Sequence, residues 1–188
     1  MFRIGAFRRR PILVHWSVPV VGAIMIAFNY SEPVFAASLC AAYFVLLLIH
    51  EIGHAIVADF RRCTVSQIEI YPIHGLCRYF PNTAEDQAFI AWGGVLAQFA
   101  VAVVVVAIVD VTGGTRINGL DIAFAVLGYI SPVIAIVNLL PVRPLDGASA
   151  WRIGPILMRR VVRRLRRKRD ITAMEAMESA LKAARKKK

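Results

Sequence analysis

The sequence predicts an all-α polytopic membrane protein with about four transmembrane helices, a short cytoplasmic β-hairpin-like loop and a basic C-terminal amphipathic helix. Three observations carry that expectation. The chain is 58% hydrophobic over 188 residues, with a mean hydropathy of +0.61, too apolar for a soluble domain of this size. Its charges are spaced apart: runs of 21, 18, 23 and 21 residues without Asp, Glu, Lys or Arg follow Arg10, Glu32, Asp86 and Asp121. About 20 apolar residues cross the hydrocarbon core at ~1.5 Å each, so every run is a candidate span. The net charge of +11 is also one-sided. Arg3, Arg8, Arg9 and Arg10 precede the first run, Arg61, Arg62 and Arg78 lie between the second and third, and the basic residues from Arg143 onward follow the fourth. Only Arg116 falls on the other side, so the positive-inside rule places both termini in the cytoplasm of a multi-pass plasma or inner membrane protein.

The elements follow in order. A first span covers residues 11–30 and reads as a retained anchor rather than a cleaved leader, because apolar sequence resumes immediately. Ser31-Glu32-Pro33 makes a short outer turn, and a second span covers residues 34–59. The cytoplasmic loop of residues 60–86 contains Val65-Ser-Gln-Ile-Glu-Ile-Tyr71, which alternates apolar and polar residues as a strand does. His74-Gly75 then turns the chain and residues 76–80 return. A third span covers residues 88–109, an outer loop follows around Thr112-Gly-Gly-Thr115, and a fourth covers residues 121–140 until Pro141 and Pro144 stop it. Two regions result, a membrane domain of residues 1–151 and a basic cytoplasmic tail of residues 152–188. Cys40, Cys63 and Cys77 are odd in number and lack CxxC spacing, so they read as idle thiols.

The chemistry concentrates at the ends of two spans. His50-Glu51-Ile52-Gly53-His54 occupies the last turns of the second. Four-residue spacing puts both imidazoles on one helix face, able to grip one Zn²⁺, with Glu51 beside them to take a proton from bound water. Ionisable groups in a bilayer cost roughly 2.5–3.5 kcal/mol each, so they mark function. Asp146, after the fourth span, is the best third ligand: Asp110 and Asp121 lie at the outer face, and Asp59 and Glu69 lack a comparable scaffold. The topology provides a check. The second and fourth spans both run inward, so their ends share one depth, whereas a count differing by one would separate them by the ~30 Å core.

The spacing Asn138-Leu-Leu-Pro141-Val-Arg-Pro-Leu-Asp146-Gly147 beside HEIGH resembles the site-2 proteases, intramembrane zinc metalloproteases, in their small prokaryotic form without a PDZ domain. Arg10-Pro-Ile-Leu-Val-His-Trp-Ser17, the strand and turn of residues 68–75, and Ala91-Trp-Gly-Gly-Val-Leu-Ala-Gln-Phe99 extend the resemblance across residues 10–151. It implies zinc held by His50, His54 and Asp146, with Glu51 as base and Asn138 helping to stabilise the oxyanion. It also implies cleavage of transmembrane or membrane-proximal segments of membrane proteins. Asn138 also has a lesser reading as a cap on the fourth helix. Two departures stand out: Gly94-Val-Leu-Ala-Gln98 carries a larger amide than the family's Asn, Ser or Gly, and the usual Gly-Gly is His74-Gly75. Both bear on the substrate cleft, where Gly94 and Gln98 are candidate lining residues. Ile68 and Ile70 are candidates for an edge pairing with an unwound substrate. Gln98 also reads as an interhelical hydrogen-bond partner.

The tail has eight basic and no acidic residues over 156–169, with Ile156, Leu157, Val161, Val162 and Leu165 at helical spacing. This reads as a helix lying on an anionic cytoplasmic leaflet. A second helix, with Ile171, Met174, Met177 and Leu181, would dock on a partner or self-associate. Membrane tethering accounts for the charge without a nucleic acid, and the oligomeric state is unknown. Two rival readings compete with the enzyme. A non-catalytic relative that escorts membrane helices has no need of Glu51, and a metal transporter would require a polar path through the outer half.

Overall fold

A computed structural model describes residues 1–114 and 119–185 of the chain, which divides into two compact units, Met1–Trp151 and Arg152–Lys188. Arg116, the single outer arginine, lies outside the described residues. The first unit is mostly helical with one small sheet. Strands β1 (Phe2–Phe7) and β2 (Arg10–Val14) precede helix α1 (Ser17–Phe28) and the long helix α2 (Pro33–Phe60). Strands β3 (Thr64–Ile70) and β4 (Gly75–Phe80) lead to α3 (Ala84–Thr112). Helix α4 (Leu120–Asn138) and the short α5 (Gly147–Ala150) complete the unit.

Helices α2, α3 and α4 are each long and apolar enough to cross a membrane, and α2 and α4 both pack against α3. Their ends follow local rules. Pro33 opens α2 where a missing N–H costs nothing. Thr83 caps α3 by accepting from the Asp86 N–H at 3.0 Å, while the Asp86 carboxylate accepts from the Thr83 hydroxyl at 2.7 Å. Gly113, at φ 71°, closes it. In α4 a π turn at Val126–Ile130 precedes Pro132. That proline has no N–H and crowds the preceding turn, which the wider turn relieves.

The first expected span is revised. Its leading residues form β2, and only the 12 residues of α1 are helical, about 18 Å at 1.5 Å each. An apolar stretch such as Pro11-Ile-Leu-Val14 suits a strand or a buried helix equally. Pairing partners decided it here: Ile12, Leu13 and Val14 run parallel to Ile68, Glu69 and Ile70, and the Ile70 carbonyl accepts from the His15 N–H at 2.9 Å. Arg8 and Arg9, both at positive φ, form the two-residue turn that twisted hairpins favour. Asp59 at the end of α2 accepts from Arg8 at 3.1 Å and from Arg10 at 2.6 Å, pinning that turn.

The expected hairpin is therefore half of a four-stranded sheet in the order β1-β2-β3-β4. Strand β3 is internal, paired with β2 on one side and antiparallel to β4 on the other. A register shift between Val65 and Gln67 lets Val65, Ile68 and Ile70 all face the core, where Ile68 and Ile70 are fully buried with Leu46, Ala55 and Ala58 of α2. These two isoleucines are core residues and offer no free edge to a substrate. The free edge beside them is β4.

In the second unit, the two expected tail helices are one: α6 (Ile153–Arg185) is continuous. The side chain of Leu181 lies outside the described residues.

Candidate metal centre

Four-residue spacing on α2 puts His50 and His54 one above the other, and both are buried. Their Nε2 atoms lie 3.0 Å apart. Asp146, in the turn before α5, completes a triangle: its Oδ2 is 2.9 Å from His50 Nε2 and 3.3 Å from His54 Nε2. A tetrahedral ion with ligands at about 2.0–2.1 Å requires ligand–ligand edges of about 3.3 Å, so the three atoms are spaced as one Zn²⁺ would demand. Two neutral imidazoles and a carboxylate also suit that ion.

The far nitrogens show how the rings are held. His54 Nδ1 lies 2.7 Å from the Ile90 carbonyl, which can only accept. Nδ1 therefore carries the hydrogen and Nε2 turns its lone pair into the triangle. His50 Nδ1 makes the same kind of contact with Gln98 Oε1 at 2.9 Å. Such partners fix tautomer and ring orientation at metal sites. Gln98 has no exposed surface, and its Nε2 has no hydrogen-bond partner among the described residues. It sits fully buried behind the His50 ring. Gly94 is likewise a packing residue: a Cβ there would lie 2.6 Å from His50 Cε1 and 2.7 Å from His54 Nε2. Gly53 and Gly93 bring α2 and α3 close enough for this arrangement, since a Cβ on Gly93 would lie 2.6 Å from the Gly53 carbonyl.

Glu51 is buried beside the two histidines and receives a backbone hydrogen bond from Cys77 on β4. A Cβ on Gly75 would overlap the Glu51 carboxylate, so the glycine of the His74-Gly75 pair is the one the site requires. Burial pushes the Cys77 thiol up to about 12, with the Glu51 charge adding to the effect, so this cysteine stays a neutral thiol rather than a nucleophile. Asp59 and Glu69, the alternative carboxylates, are engaged by Arg8, Arg10 and Arg78. Asn138 ends α4, partly buried, and no hydrogen bond among the described residues joins it to the triangle.

Sequence reasoning missed the support of Asp146. The Trp151 indole N–H donates to the Leu139 carbonyl at 2.6 Å and the Trp92 indole N–H to the Ala150 carbonyl at 3.2 Å, while the two rings meet edge to face at 5.5 Å. They clasp the segment between α4 and α5 from both ends. A Cβ on Gly147 would overlap the Leu139 and Leu140 carbonyls, which explains a glycine next to Asp146. Two tryptophans 59 residues apart carry no sequence signal for this role.

Two buried histidines and a half-buried aspartate beside a buried glutamate, on helices of membrane-crossing length, form the kind of scaffold that a membrane metalloprotease uses. No family model matches the chain. It is 27% identical over 143 residues to a zinc metalloprotease of Methanocaldococcus jannaschii, a match covering 76% of this chain; the chain spans only 42% of that relative's length. The solved structure of a site-2 protease from the same organism superposes with a TM-score of 0.68 at 26% identity, covering 84% of this chain and 72% of that one. In sequence and in fold the chain is similar to the site-2 proteases.

Proposed function

We propose that the protein is a zinc-dependent intramembrane endopeptidase acting on transmembrane or membrane-proximal segments of membrane proteins. The observation that carries this reading is the His50, His54 and Asp146 triangle, with edges of 2.9–3.3 Å, beside buried Glu51. Those three residues would hold Zn²⁺, which supplies a lowered water pKa and polarises the scissile carbonyl. Glu51 takes the proton from the attacking water and returns it to the leaving amine. The family resemblance assigns Asn138 to the oxyanion. A helix must open before its carbonyl can be reached, and the free edge of β4, next to Glu51, is suited to pair with the opened segment.

Four traversals and cytoplasmic termini fit this reading. Strand β2 shares a sheet with β3, at the His54 end of α2, while α2 begins at its opposite end. The segment containing α1 must therefore run the return distance, although α1 alone is shorter than the ~30 Å core. The arginines at the sheet end orient that face inward.

The deciding experiment measures zinc per protein beside cleavage of a co-expressed single-span substrate library. Glu51→Gln keeps size and burial but cannot take the proton, so it retains zinc and loses hydrolysis. His50→Ala, His54→Ala and Asp146→Ala lose both. Wild-type cleavage by Glu51→Gln would refute the mechanism, and full zinc in Asp146→Ala would refute the third ligand.

A further inference from the structure

Helix α6 is one continuous helix across the point where the sequence pattern changes phase. At about 100° per residue, Leu157, Met158, Val161, Val162 and Leu165 fall on one side of it. Ile171, Met174 and Met177 form a second stripe whose centre lies roughly 180° away, on the opposite side. All eight side chains are exposed. With no break between Leu165 and Ile171, one flat surface cannot cover both stripes.

The charges decide between them. Arg159, Arg160, Arg163, Arg166 and Arg167 flank and oppose the first stripe, Arg164 lies at its border, and residues 156–169 include no acidic group. The second stripe is interrupted by Asp170 and flanked by Glu175. Apolar side chains with this density of arginine match an anionic bilayer surface, where each basic residue contributes about 1 kcal/mol and the stripe adds buried apolar area. Helix α6 also starts directly after a unit whose helices are of membrane-crossing length, so such a surface is at hand for every molecule.

We propose that the first half of α6 lies on the anionic leaflet through the Leu157, Val161 and Leu165 side, and that its continuity holds the Met174 side in water. The inference is independent of catalysis. It is tested on the full-length protein reconstituted in phosphatidylcholine vesicles with or without phosphatidylglycerol. Cys40, Cys63 and Cys77 are replaced by Ala, and an environment-sensitive fluorophore is placed at Val161→Cys or Met174→Cys. The label at 161 should move to an apolar environment only in anionic vesicles, while the label at 174 stays aqueous in both. Replacing Arg159, Arg160, Arg163 and Arg164 by Gln should weaken surface association by roughly 10²–10³-fold. High salt on the labelled, otherwise unaltered tail should act in the same direction. A label at 161 that reads water in both lipids overturns the proposal. So does one that reads apolar in both, which would indicate a protein contact, and so do equal lipid signals at 161 and 174.

Discussion

His50 Nδ1 lies 2.9 Å from Gln98 Oε1, a contact that joins α2 to α3 across 48 residues of sequence and aims His50 Nε2 at Asp146. Gln98→Ala removes the acceptor and leaves the ring free to turn. Zinc affinity should fall by about 10–100-fold, the usual cost of losing a partner that orients a metal-bound histidine. Gln98→Glu keeps an acceptor at the same place and removes the amide nitrogen that has no partner among the described residues, so it should hold zinc better than Gln98→Ala. Competition with a zinc-binding dye gives both affinities. Equal affinity in Gln98→Ala and the unaltered protein would remove Gln98 from the site.

Gly75 makes the second prediction. Its φ is not in the left-handed region, so Ala is tolerated by the backbone, and the added Cβ acts only by meeting the Glu51 carboxylate. Gly75→Ala should keep zinc and lose turnover by roughly 100-fold, the scale of a 1 Å displacement of a reacting group. Gly5, whose surroundings are open, provides a control, since Gly5→Ala should change neither. Normal turnover in Gly75→Ala would show that Glu51 has room to move without harm.

The third prediction concerns acid. Arg78, together with Gln67 and Tyr71, holds the Glu69 carboxyl below its ordinary value. A carboxyl depressed in the folded state stabilises the protein above its unfolded pKa and loses that contribution as pH falls through the folded one. The thermal midpoint of the unaltered protein should exceed that of Glu69→Gln near neutrality, and the gap should close on acidification below about pH 4. Arg78 is half exposed, so the gap is small and narrows in salt. A gap that stays constant from pH 7 to acid would assign the effect to packing instead.

The extent to which the site was readable follows from how far apart its parts are in the chain. HEIGH carries its own geometry, because helical spacing alone brings His50 and His54 to one face. Asp146 was reached by setting aside the other carboxylates, with the parity of the spans as a check, an argument about depth that needs no side-chain detail. Gln98 was visible as a departure from a motif and as an interhelical hydrogen-bond partner, but which residue it would meet was not. Nothing local distinguishes an amide behind a histidine from one lining a cleft, and the distinction rests on which neighbour α2 presents to it. Trp92 and Trp151 gave no signal at all, since indole rings in apolar helices ordinarily read as membrane-interface residues.

By itself the sequence determined the three long apolar helices α2, α3 and α4 and the placing of His50, Glu51 and His54 on adjacent turns of one helix, because these depend on periodicity and spacing along the chain. It also offered Asp146 as the carboxylate that the structure brings to the two histidines. Tertiary structure alone decided that residues 10–14 are a strand, that Ile68 and Ile70 are core, and that β4 is the exposed edge beside Glu51. Strand pairing joins residues more than fifty positions apart, as Ile12 joins Ile68. An apolar segment has nearly equal affinity for a helix and a sheet until such a partner is present. That partner supplies the backbone hydrogen bonds that make one choice stable.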